Sequence, residues 1–138
     1  MTDKPPMGFF KSCLLFCIAF LLLVTTTPLG FVYAFFRQLF FSKLKSLSIY
    51  FVEVAIALDI TGNVTMQFLL NDLLLINNKD SYYFGNSKET ISSVIGKNSI
   101  TGTLSFLGRA LNRFLNFIDT NHSLNSIIYD VKRWKEGN

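Results

Sequence analysis

Ser12 to Phe36 reads SCLLFCIAFLLLVTTTPLGFVYAFF, with no charged residue anywhere in the run. The hydrocarbon core of a bilayer is ~30 Å thick, and about 20 helical residues cross it. The run is long enough to span with tilt to spare, so it predicts a transmembrane helix over residues 12–36. Pro28 lies inside it, after Thr25, Thr26 and Thr27. Proline removes one backbone hydrogen bond, which hydroxyls or a neighbouring helix can offset in lipid. A cleaved signal peptide is the alternative, because Lys4 and Lys11 precede the run and Val32 and Ala34 resemble a cleavage pattern. The apolar stretch continues through Phe35 and Phe36, however, and Leu14 to Ala34 is too long for a signal's apolar core and cleavage region. A retained anchor is therefore the expectation.

Basic residues flank the run: Lys4 and Lys11 before it, Arg37, Lys43 and Lys45 after it. The positive-inside bias points the body of the chain weakly toward the cytoplasm. Composition agrees with a membrane setting. Half of the 138 residues are hydrophobic, 15 are Phe, and only 16% are charged, where a soluble protein has roughly a quarter. Mean hydropathy is +0.37 and the pI is about 9.2. The net charge of +4 is scattered, with no dense basic run among aromatics, so no specific nucleic-acid partner is expected. Both cysteines, Cys13 and Cys17, fall in the apolar run, and no Cys/His ligand pattern accompanies them.

Beyond the anchor, Phe40 to Ile60 predicts a second helix, with Leu44, Leu47, Phe51, Val54 and Leu58 at helical spacing. Glu53 and Asp59 argue against an easy second span and for a helix at the interface or packed on the anchor. A break is expected at Thr61-Gly62, then a short core helix over Val64 to Ile76, then a loop over Asn77 to Asn86. Ser87 is expected to cap a short helix through Ser93, and Gly96 to Ser99 to form a second loop. Gly102 to Ile118 is the clearest amphipathic pattern. Leu104, Leu107, Leu111, Phe114, Leu115 and Ile118 form its apolar stripe, and Ser105, Arg109, Asn112, Arg113 and Asn116 its polar one. Tyr129 to Asn138 reads as a basic tail in which Trp134 lies between cations. The candidate membrane-interface residues are Arg37, Lys43, Lys45, Arg109, Arg113 and Trp134.

The chain has no P-loop, dinucleotide fingerprint, HExxH or GxSxG. Its polar residues instead gather in Asp59 and Asn63, in the run Glu89-Thr90-Ile91-Ser92-Ser93, and in Asp119, Asn121 and His122. Asp59, Asn63, Glu89, Thr90, Ser92, Ser93, Asp119 and His122 make a candidate polar network that fixes a small fold. The chemical alternative is a hydrolytic or metal site, with Glu89 and His122, and Asp59 beside them, as acid, base or ligand. No cofactor is implied.

Ala57-Leu58-Asp59, Asn63, Gly85, the run Glu89 to Ser93, Lys97 and Asn121-His122 together resemble a group of small proteins of tailed phages and prophages. In that group a helix ending Ala-Leu-Asp-x-x-x-Asn leads to a glycine loop, then Glu-Thr-(Ile/Leu)-Ser-Ser, a basic position and a late His. The resemblance covers roughly Val54 to Ser123. Two departures are the long apolar N-terminal segment and the wider spacing between Asn63 and Glu89. The resemblance implies a mobile-element origin and supplies no activity.

The expected architecture is mainly α: a terminal tail over residues 1–11, a transmembrane helix over 12–36, a small membrane-associated helical domain over 37–128 and a basic tail over 129–138. The expected function is that of a membrane-anchored accessory protein acting on the bilayer, on a membrane-protein partner or on itself. As a single-pass protein it would sit in the host inner membrane if phage-encoded. A membrane-associated hydrolase or metal-binding protein, and an oligomeric holin-like protein, are the alternatives.

Overall fold

The computed structural model describes residues 8–41 and 44–136, so the expected tail over residues 1–11 is described only from Gly8, and Lys43 lies outside the described residues. Among the described residues six helices follow one another: α1 Phe9–Phe41, α2 Leu44–Thr65, α3 Gln67–Leu74, α4 Ile91–Thr101, α5 Phe106–Ile118 and α6 His122–Glu136. The chain is mainly helical, and its backbone groups divide into two compact units, Met1–Phe51 and Val52–Asn138. Helix α2 contributes to both.

In the first unit, α1 starts at Phe9, just before the expected apolar run, ends at Phe41, more than a turn beyond it, and stays helical through Pro28. The hydroxyls of Thr25 and Thr26 donate to the carbonyls of Leu21 (2.8 Å) and Leu22 (2.7 Å), so neither adds an unsatisfied donor to an apolar surface. Phe31 packs against Tyr50 and Phe51 of α2, and Phe35 against Phe51, with tilted rings at 6.1–6.4 Å between centroids. Ser46 donates to Gln38 at 2.8 Å beside them. Both α1 and α2 are long and apolar enough to cross a membrane, and none of the apolar window of α1 is buried.

In the second unit, the core is Leu70, Leu74, Leu75, Phe84, Val94, Ile95 and Leu104, with Ile91, Leu111 and Leu115 packed against it. The break expected at Thr61-Gly62 is absent. Thr61 bonds back to Ala57, α2 continues to Thr65, and the irregular residue is Met66, from which α3 starts. After α3 the chain is extended. Leu75 bridges Leu104, with Ile76 N–H donating to Thr103 and Ser105 N–H to Leu74, both at 2.8 Å.

Helix α4 corrects two expectations. It begins at Ile91, capped by Thr90 rather than Ser87, because the Thr90 hydroxyl reaches Ser93 N–H at 3.1 Å. It then runs through Gly96-Lys97-Asn98-Ser99, expected as a loop, and ends at Gly102, whose φ of 72° suits a left-handed cap. Gly96 is helical because α6 lies directly on it: a Cβ there would overlap the carbonyl of Ser123. Asn98 is helical because its amide has partners outside the helix. It exchanges two hydrogen bonds with the backbone of Tyr82 (3.0 and 2.7 Å), donates to Val94 O and accepts from Thr103 Oγ1 (2.6 Å).

The expected start of α5 at Gly102 moves to Phe106, with Ser105 as its cap. Gly108, one turn in, rests on the carbonyl of Leu74, which joins α5 to the end of α3. Residues 129–136, expected as tail, continue α6, and Asp130 within them is buried.

Candidate functional site

The run Glu89 to Ser93 opens α4, and the first turn of a helix leaves four backbone N–H groups without helical acceptors. Three elements fill them. Thr90 N–H donates to Asp130 Oδ2 of α6 at 2.9 Å, and the Thr90 hydroxyl donates to the same oxygen at 3.0 Å. Ile91 N–H donates to Asp59 Oδ1 of α2 at 3.1 Å, while Ser92 reaches Asp59 Oδ2 through N–H (3.4 Å) and Oγ (2.8 Å). Ser93 N–H donates to Thr90 Oγ1. Two carboxylates at a helix N-terminus also complement its dipole. With these amides taken, the N-terminus offers no set of free donors to an outside anion. Arg133 completes the arrangement by donating to Asp130 Oδ1 at 3.2 Å.

Asn63 works one step earlier in the chain. Fully buried, it donates to the carbonyls of Asn86 (2.9 Å) and Glu89 (2.8 Å) and accepts from Gly85 N–H (3.0 Å). Asn71 does the same for Phe84, accepting at 2.8 Å and donating at 3.3 Å. With Asn98 on Tyr82, three asparagines from α2, α3 and α4 hold the stretch Tyr82 to Glu89, which has no regular structure of its own. Glu89 itself is part-exposed. Its Oε1 accepts from Lys97 Nζ (2.8 Å) and Asn86 Nδ2 (2.9 Å).

Two grooves flank α4. One, about 360 Å³, is walled by Val52, Ala55 and Ile56 of α2 and by Tyr129, and is mainly apolar. Asp59, Thr90, Asp119 and His122 also border it, so four of the eight residues expected to form a network meet at one place. His122 Nδ1 lies 3.1 Å from Asp119 Oδ2, and both are substantially exposed. The other groove, about 240 Å³, is bordered by Glu89, Ser93, Lys97, Lys88 and Trp134. Glu89 and His122, the expected acid–base pair, thus open onto different grooves. Asn63 and Ser92 line neither; Asn63 holds backbone groups of residues 85–89, and the Ser92 hydroxyl donates to Asp59. Among the described residues no three His, Cys, Asp or Glu side chains stand close enough to hold a metal ion. Ser93 Oγ is the buried side-chain atom that finds no hydrogen-bond partner among the described residues. Asn121 takes φ 60°, a left-handed conformation that Asn tolerates better than most residues, immediately before α6.

Several residues that matter here were not singled out by the sequence. Asp130 lay in the presumed tail, and Asn98 in the presumed loop. Asn71 was visible as a polar interruption of an apolar helix, and that is the signal which marks a buried amide with work to do. Asn112 and Asn116, of the polar stripe of α5, turn toward α6, where the buried Ser123 hydroxyl donates to Asn112 Oδ1 at 2.7 Å.

Of the candidate interface residues, Arg37, Lys45, Arg109, Arg113 and Trp134 are exposed. Arg109 donates to Leu104 O, and Lys88 Nζ sits 4.8 Å over the Trp134 ring. Compared with protein-family models, with curated proteins and with solved structures, the chain gives no match.

Proposed function

We propose that this chain is a membrane-anchored accessory protein, of phage or mobile-element type, that acts through contacts with the bilayer and a membrane-protein partner rather than by catalysis. The observation that carries the reading is α1, a helix of spanning length whose apolar window is wholly unburied. Such a surface is unfavourable in water at about 25 cal/mol per Å² and is at home in lipid. A single span is favoured over two. Beyond Val52, α2 gives Asp59 to the cap of α4 and Asn63 to the loop before it, so this half of α2 is committed to the second unit. Catalysis is disfavoured because Asp59, Thr90 and Asp130 are occupied in holding α4, and Glu89 is engaged by Lys97.

The test is cross-linking of the full-length chain in intact membranes, followed by capture in detergent. A discrete partner or self-adduct, unchanged in Glu89→Gln and His122→Ala, is the expected result. Absence of any protein adduct overturns the reading.

One observation favours a hydrolytic alternative: the His122–Asp119 pair borders the apolar groove, which is an orientation suited to a general base. Loss of the biological effect in His122→Ala, with thermal stability unchanged, selects that alternative.

A further inference from the structure

Helix α5 leaves half of its apolar stripe unused. Leu111 and Leu115 turn inward against the core. Phe106, Leu107, Phe114, Phe117 and Ile118 face outward, with Phe117 88% exposed and Phe106 76%. At 100° per residue, the outward apolar residues fall within one arc of about a third of the helix circumference. Arg113 and Arg109 border that arc on the side away from the core. The helix sequence, FLGRALNRFLNFI, contains no Asp or Glu. Helix α3, fastened to α5 by the Leu74–Ser105 hydrogen bond, exposes Phe68 and Leu69 as well.

An apolar arc of this kind, bordered by cations and free of carboxylates, is the pattern of a helix lying in the plane of a bilayer surface. We infer that α5 is a second membrane contact: its phenylalanines enter the acyl boundary of an anionic bilayer and Arg109 and Arg113 meet the headgroups. A lipid surface fits better than a protein for two reasons. Three exposed Phe side chains on 13 residues of one helix form a convex ridge rather than a pocket or a knob. The same chain also carries α1, which brings a bilayer within reach. The inference rests on reading α1 as an anchor, and its effect is to tie the second unit to the membrane, with anionic lipid content setting how firmly.

The test uses the full-length chain with Cys13→Ser and Cys17→Ser, reconstituted into vesicles of neutral phosphatidylcholine alone or mixed with anionic phosphatidylglycerol. An environment-sensitive label is placed at Phe117→Cys or, separately, at Leu22→Cys in α1, and quenching by aqueous acrylamide is read, a neutral quencher that a charged surface does not repel. Phe117 is so exposed that its replacement leaves the core intact, which circular dichroism checks. The expected result is loss of acrylamide quenching at position 117 in anionic vesicles, with quenching regained in neutral vesicles and in Arg109→Gln/Arg113→Gln. A label at 117 that stays open to acrylamide in anionic vesicles overturns the inference. So does protection of equal strength in neutral vesicles and in the double-arginine variant, which means that the cover does not depend on anionic headgroups, as with a second copy of this chain. A label at Leu22 open to acrylamide overturns the anchor instead, so the two failures are read separately.

Discussion

Asp59 and Asp130, from α2 and α6, close on the first turn of α4 from two sides. Asp59 takes the amides of Ile91 and Ser92, and Asp130 takes that of Thr90. Each bond joins an ionised acceptor to a backbone donor, a type that contributes about 1.5–3 kcal/mol. Asp130→Ala is expected to destabilise by about 2–4 kcal/mol, since it strands a buried amide and releases Arg133. Asp59→Ala, at a part-buried site, is expected to cost about 1–3 kcal/mol. Because both act on one helix terminus, the double variant should lose less than the sum. Denaturant unfolding of the second unit's helices in detergent, followed by circular dichroism, measures all three.

Asn63 is a sharper test of the same idea. Its Nδ2 donates to two carbonyls, so Asn63→Asp keeps the shape but puts a carboxylate against Asn86 O and Glu89 O. That single-atom change is expected to destabilise by at least about 3 kcal/mol, more than Asn63→Ala, because it adds repulsion to the lost bonds. Equal stability of Asn63→Asp and wild type would mean that the Tyr82 to Glu89 stretch is held in some other way.

Glycine variants separate close packing from helix propensity. Alanine is favoured over glycine in a helix interior by about 1 kcal/mol. At Gly96 and Gly108 a Cβ would meet the backbone carbonyls of Ser123 and Leu74, which cannot swing aside. Both alanine variants are therefore expected to lower the melting temperature. At Gly62 the nearest atom is Ile91 Cδ1 at 3.0 Å, the tip of a flexible side chain. Gly62→Ala should be near neutral by the same measurement.

Ser93 distinguishes a structural cluster from a chemical one. Its hydroxyl is buried with no partner among the described residues, so Ser93→Ala is expected to leave stability unchanged or raise it by up to about 1 kcal/mol. Ser92→Ala, which removes a 2.8 Å bond to Asp59, should destabilise by about 1 kcal/mol. If Ser93→Ala abolishes partner capture while raising stability, the hydroxyl serves a ligand.

The sequence made some of this legible and hid the rest for physical reasons. The apolar run of α1 and the amphipathic spacing of α5 depend on local pattern, and both helices are present. The run Glu89 to Ser93 was marked by its polarity, and it proves to be where three elements converge. The extent of α4 was hidden because Gly96 and Asn98 are poor helix residues until α6 and Tyr82 supply their reasons. Asp130 was hidden because its partner Thr90 is far away in the chain. The amphipathic spacing of α5 does not say which part of the stripe is covered: Leu104, Leu111 and Leu115 reach the core, while Leu107, Phe114 and Ile118 stay exposed and Asn112 and Asn116 are drawn to Ser123.

The central claim is that α1 holds this chain in a bilayer. Alkaline-carbonate extraction of membranes from cells expressing the full chain, with intact mass of each fraction, tests it most directly. The expected result is the full-length chain in the membrane pellet. A soluble chain, or one shortened by cleavage near Ala34, would contradict it.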